Sequence, residues 1–92
     1  MRELGRFTIG ADHPALPGHF PGRPVVPGVV VLDEVAALVL QAEPGKALAG
    51  FPSVRFSRPV LPGMVVTVLY GDGGFTCQVD GAGVARGTIA FR

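Results

Sequence analysis

Residues 13 to 35 read HPALPGHFPGRPVVPGVVVLDEV: five prolines, three glycines and two histidines, then an apolar run broken only by the adjacent acids Asp33 and Glu34. Each proline fixes its own φ, lacks an N–H and pushes the residue before it out of the helical region. The chain from Gly10 to Gly28 is therefore expected to be irregular and stiff. A flexible linker would need something on both sides, and only eleven residues precede Asp12, so a rigid functional loop is the better reading. From Val29 the texture changes. Ala36, Ala37, Leu38, Leu40 and Gln41 favour a helix over a buried strand, and Pro44 with Gly45 ends it. One helix is expected from about Val29 to Gln41, roughly 20 Å at 1.5 Å per residue.

Outside this stretch the pattern has period two. ELGRFTI (3–9) reads as a first strand with Leu4, Phe7 and Ile9 as its apolar positions. After the helix, SVRFSRP (53–59) reads as a strand with Val54 and Phe56 inward and Arg55 and Ser57 outward. MVVTVLY (64–70) follows, GDGG (71–74) turns into FTCQVD (75–80), and GAG (81–83) leads into VARGTIAFR (84–92). One strand before a single helix and hairpin-linked strands after it predict an α+β fold, an antiparallel sheet wrapped around one central helix in a single domain, 1–92.

On a helical wheel Glu34 and Gln41 share a face, and Asp33 sits about 100° away among Val29, Ala36, Ala37 and Leu40. The periodicity predicts Glu34 at the surface and Asp33 buried. Burying a carboxylate is costly unless it is paired or protonated, so a buried Asp33 would be pushed toward holding a proton near neutrality. The plain alternative is a carboxylate that only accepts from a loop amide. His19 titrates in the range that suits a general base, though a histidine in such a loop can equally be a packed or surface residue. His13 reads as an ordinary loop residue. Cys77 shares the Phe75/Val79 face of its strand, which points to core packing rather than nucleophilic chemistry.

Almost half the chain is hydrophobic (48%) and only 16% is charged, more apolar surface than so short a domain can hide alone, so an oligomer, most simply a two-fold dimer, is expected. A net charge of +1 with scattered arginines argues against nucleic acid. One cysteine and two histidines complete no metal-ligand spacing. No signal peptide is evident at the start, and the run Val29–Leu40 is too short to span a bilayer, so a cytoplasmic protein with no membrane contact is expected.

The series His19-Phe20-Pro21-Gly22-x-Pro24-x-x-Pro27-Gly28, with an acid fourteen residues after the histidine at Asp33, resembles the β-hydroxyacyl-acyl-carrier-protein dehydratases of the hotdog fold. VRFSRPVLPG (54–63) looks like that family's second block, and the resemblance covers about Ala11 to Arg92, closest to the small aryl-polyene-pathway type. It implies dehydration of 3-hydroxyacyl thioesters on acyl carrier protein to trans-2-enoyl thioesters, without cofactor or metal, in fatty-acid or polyene-like lipid biosynthesis. It implies His19 as the base, Asp33 as the acid, Gly28 N–H toward the thioester carbonyl, and substrate contacts at Phe20, Gly28, Val29, Pro62 and Gly63. It further implies a homodimer or higher oligomer, or a heterodimer with another hotdog chain, in which His19 and Asp33 meet across two chains. Three departures are expected to matter: the N-terminal segment that many of these dehydratases carry before the first strand is missing from this sequence, the acid is Asp rather than the commoner Glu, and Ala37 occupies a position where the family often has glutamine. A hotdog thioesterase and a non-catalytic partner subunit are the alternatives. Arg23, Arg55 and Arg58 are candidates for meeting an acidic carrier or its phosphate.

Overall fold

The computed structural model describes residues 1–14, 16 and 25–92. His19 and Phe20, with most of the predicted rigid loop, lie outside the described residues. The elements run β1 (Arg2–Thr8), α1 (Gly28–Ala42), β2 (Leu48–Gly50), β3 (Val54–Phe56), β4 (Val65–Gly71), β5 (Gly74–Val79), β6 (Ala82–Thr88) and β7 (Ala90–Phe91). Five strands form one antiparallel sheet in the order β1-β4-β5-β6-β3, and β2 pairs with β7 in a separate two-stranded ribbon. The helix extends one residue beyond the expected limits at each end.

Two of the connections are dictated residue by residue. Asp72 and Gly73 both have positive φ (51° and 75°), as do Asp80 and Gly81 (51° and 80°). Each Asp-Gly pair is a two-residue loop between facing residues, Gly71↔Gly74 and Val79↔Ala82, and its paired positive φ values match the right-handed twist of the strands it joins. The third connection is different in kind. Leu61–Met64 is closed by the Met64 N–H donating to the Leu61 carbonyl at 3.2 Å, with Pro62 then Gly63 (φ 87°) inside it, the signature of a type II turn. The Gly63 N–H reaches the Ile9 carbonyl at 2.9 Å, tying this turn to the end of β1.

The core lies between α1 and one face of the large sheet. Val31, Val35 and Val39, at four-residue spacing, meet a cluster that includes Val66, Val68, Phe75 and Cys77, all essentially inaccessible. Gly5 lets helix and sheet come close, because a Cβ there would sit 3.0 Å from Leu38 Cδ2. Cys77 is core packing, as its strand face predicted, and burial pushes its thiol from an ordinary 9.0 up to about 12.

Three expectations need correction. Asp33 is exposed and Glu34 is the half-buried acid of the pair, the reverse of the wheel-based reading. The helix carries two apolar stripes on opposite sides, and a wheel shows both without saying which one the chain's own sheet covers. The sheet takes Val31, Val35 and Val39; the stripe of Val29, Asp33, Ala37 and Leu40 faces outward. Phe56 does point to the helix side of the sheet, opposite buried Ala85, but it stays 42% exposed because β3 is the sheet edge. The last predicted strand breaks at Ile89, whose N–H donates to the Gly73 carbonyl at 2.9 Å, and its final residues leave the large sheet to pair with β2.

Candidate active site

The site is built where the chain enters α1. The Val26 N–H donates to the Val60 carbonyl at 2.8 Å, pinning the approach to the helix against the segment that follows β3. Pro27 then caps the helix in extended geometry (φ −58°, ψ 143°), and its carbonyl accepts from the Val30 N–H at 3.0 Å. No described side chain caps this end, its first turn holds no acid, and no described residue accepts the Gly28 N–H. An uncapped helix start presents free donors and the positive end of the helix dipole. That combination suits an oxygen that gains negative charge during a reaction.

Gly28 also lines a groove of about 500 Å³. One wall is the chain from Val25 to Gly28 with Val31; the other is Phe56 to Val60. The Phe56 ring closes against the helix start so tightly that a Cβ on Gly28 would lie 2.9 Å from its Cε2 and 3.0 Å from its Cζ. Glycine at 28 is thus a packing requirement as well as a way to let a ligand approach the backbone. The groove wall formed by Phe56 was missed from sequence, where alternation assigned that residue to the core. Its signal was the position of β3 as an edge strand, which only the pairing reveals.

The other predicted site residues fall in three places. Val29 and Asp33, one turn apart, lie on the exposed helix stripe next to the groove rather than in its lining. Pro62 and Gly63 form the type II turn before β4 and are also outside the lining. His19 and Phe20 are outside the described residues, so the pairing of His19 with Asp33 is not part of the described geometry. Among the described residues no group of three or more His, Cys, Asp or Glu could hold a metal ion, and no helix is long and apolar enough to cross a membrane.

The comparison with known families decides the assignment. Residues 3–73 match the model of the ApeI-like family, described as ApeI dehydratase. The chain belongs to the ApeI-like dehydratase family. Among curated relatives of this ApeI-like chain, a 3-hydroxyacyl-[acyl-carrier-protein] dehydratase FabZ of Herpetosiphon aurantiacus is 34% identical over 108 residues, covering 99% of this chain and 77% of the relative. The enzyme of the same name from Chloroflexus aggregans is 41% identical over 71 residues, 68% of this chain and 49% of the relative. Among solved structures, the dehydratase heterocomplex ApeI:P from Xenorhabdus doucetiae superposes with a TM-score of 0.77 at 22% identity, covering 94% of this chain and 82% of that one. The ApeI-like chain therefore has the hotdog fold, as its single helix against an antiparallel sheet indicated.

Proposed function

We propose that the protein removes water from 3-hydroxyacyl chains held as thioesters on an acyl carrier protein, giving trans-2-enoyl thioesters for fatty-acid or related lipid biosynthesis. The observation that carries this reading is the Gly28 N–H, which no described residue accepts, at a helix start that lines a groove beside an exposed carboxyl, Asp33. The thioester carbonyl accepts from Gly28 N–H and takes up charge as His19 removes the α-proton. The electron pair left on the α-carbon forms the new double bond. The β-hydroxyl departs with a proton from Asp33, as water. Nothing in these steps calls for a metal or an organic cofactor.

The reaction is completed by a second hotdog chain. Val29 is 65% exposed and Leu40 38%, on the same helix face as Asp33 and Ala37, and a helix apolar on opposite sides is a helix meant to be covered on both. A chain laid over this stripe takes Asp33 out of water and brings its own His19 to the acid. The simplest such chain is a second copy, giving a cytoplasmic homodimer. The likeness to a chain of a dehydratase heterocomplex supports a different hotdog partner as the second reading.

Turnover of 3-hydroxyacyl thioesters on carrier protein and on a pantetheine mimic, followed by enoyl absorbance, tests the proposal. Wild type is expected to form enoyl product, and His19→Ala and Asp33→Asn are each expected to lose roughly 100-fold or more while unfolding at the wild-type temperature. Free acid as the product would make the protein a thioesterase and overturn the dehydratase reading. An inert wild type that gains activity only with a second hotdog chain would favour the hetero-oligomer.

A further inference from the structure

The face of the large sheet turned away from α1 carries a feature that the proposed chemistry does not use. Across the sheet, one row of facing residues runs Arg55 on β3, Arg86 on β6, Thr76 on β5, Leu69 on β4 and Glu3 on β1. Arg55 and Arg86 are direct cross-strand neighbours, both exposed. Directly opposed residues of an antiparallel pair hold their Cβ atoms about 4.5–5.5 Å apart, where like charges destabilise the sheet. Nothing described relieves them. The ion pairs among the described residues are Arg6–Glu3 (3.5 Å) and Lys46–Glu43 (3.1 Å). Glu3 is three strands from Arg86 in the row, about 14 Å at 4.8 Å per strand, and already faces Arg6. Asp72 and Asp80 sit in the turns at opposite ends of β5.

The surroundings of the two arginines are hydroxyl-rich and concave. Two adjoining depressions, about 590 and 480 Å³, share Arg55, Thr76 and Arg86 in their walls; Ser57, Gly83 and Ala85 add to one, and Ser53 and Thr88, with the apolar Met1 and Phe75, to the other. Thr88 Oγ1 accepts from the Ser53 N–H at 3.1 Å, which leaves its own O–H to donate outward. Ser57 Oγ donates to the Gly83 carbonyl at 3.2 Å and holds the chain end of β3 against β6. Thr76 Oγ1 donates to Met1 Sδ at 3.6 Å, so Thr88 is the hydroxyl whose O–H is left for a ligand. Two adjacent guanidinium forks with that hydroxyl at the rim match an oxyanion with several acceptor oxygens.

We propose that the outer face of β3, β6 and β5 is a binding site for a phosphoryl group, held between the Arg55 and Arg86 guanidiniums with Thr88 at its edge. The ligand removes the like-charge opposition that the strand register imposes, so binding and sheet stability are coupled. The site is on the opposite face of the sheet from the Gly28 groove and stands independently of the dehydratase reading.

The experiment is a titration of the protein with inorganic pyrophosphate, with sodium chloride holding ionic strength constant, read by calorimetry and by backbone amide shifts. Saturable binding is expected, with shifts centred on β3 and β6, and Arg55→Gln and Arg86→Gln are each expected to weaken it roughly tenfold or more. A non-saturating response, or one equal in wild type and both variants, would mean an adventitious ion only and overturn the site. Arg86→Glu gives an independent reading. Pairing Glu with Arg55 is expected to raise the unfolding temperature by about 2–4 °C without ligand and to abolish the stabilisation by pyrophosphate. A lowered unfolding temperature that pyrophosphate still raises would show that the two arginines neither oppose each other nor hold the anion.

Discussion

Two residues, Gly28 and Cys77, show how far a single position can be argued. At Gly28 the added methyl of Gly28→Ala would arrive 2.9 Å from Phe56 Cε2, so the ring must move, and the space open to it is the groove. Gly28→Ala is therefore expected to lower kcat/KM about tenfold with little change in stability, and Phe56→Ala in the same chain is expected to restore part of the loss. A double variant no better than Gly28→Ala would place the defect in the backbone rather than the ring. Cys77 is completely buried in the core, and its thiol is held protonated up to about 12 by desolvation. Two outcomes are expected. Native protein should resist iodoacetamide at pH 8, because the thiolate is the nucleophile and the fold withholds it. The sign of the pH effect follows from proton counting: between about 9 and 12 the unfolded chain has lost the Cys77 proton and the folded chain keeps it, so stability falls as pH rises, by up to about 1.4 kcal/mol per unit. Urea unfolding of wild type and Cys77→Ala across that range isolates the effect from other groups that titrate there; parallel curves would refute it. Asp33 teaches the complementary lesson. Its company of Val29, Ala37 and Leu40 was readable from spacing, but its exposure depends on which apolar stripe the sheet occupies, and that is a property of the fold.

Elements differ in how much of them the amino-acid pattern carries. The hairpin β4-β5 was legible because Asp-Gly supplies two consecutive positive φ values cheaply; β5-β6 was legible as a hairpin, but its turn is Asp80-Gly81, with Ala82 already in β6, rather than the expected GAG at 81–83. Gly81→Ala would put a Cβ on a residue at φ 80° and is expected to cost about 1 kcal/mol, readable as a lowered urea midpoint with an unchanged slope. The β2–β7 ribbon was not legible: strands of three and two residues are too short for periodicity to distinguish from loop. The helix was legible as a helix and not as a two-sided one. Its outward stripe makes a sharp prediction, since Leu40 is already 38% exposed in the single chain and contributes little to that chain's own core. Leu40→Lys should shift light-scattering mass to that of one chain and lower the unfolding temperature, while circular dichroism well below that temperature still shows the folded monomer. The same substitution would unfold the protein outright if the stripe belonged to an internal core.

Taken whole, the described residues form one helix on a five-stranded sheet, with a two-stranded ribbon beside it, the core on one side of the helix and an apolar stripe on the other. On the proposed reading a second chain covers Val29 and Leu40, and burying that stripe adds to the stability that the core supplies. Folding and association are then linked, and the unfolding temperature becomes a function of concentration. For a dimer that unfolds to two separate chains, each tenfold increase in protein adds about 1.4 kcal/mol per dimer, which raises the unfolding temperature by a few degrees. Calorimetric scans of the pure chain from about 1 to 100 μM should show that rise, and Leu40→Lys should flatten it. A temperature independent of concentration in wild type leaves one form of the idea standing: the chain waits for a different hotdog partner, and adding that partner should raise the transition and the dehydratase activity together. If the pure chain is monomeric, insensitive to concentration and fully active by itself, the site is complete within one chain, and the assignment of the Asp33 stripe to an interface is wrong.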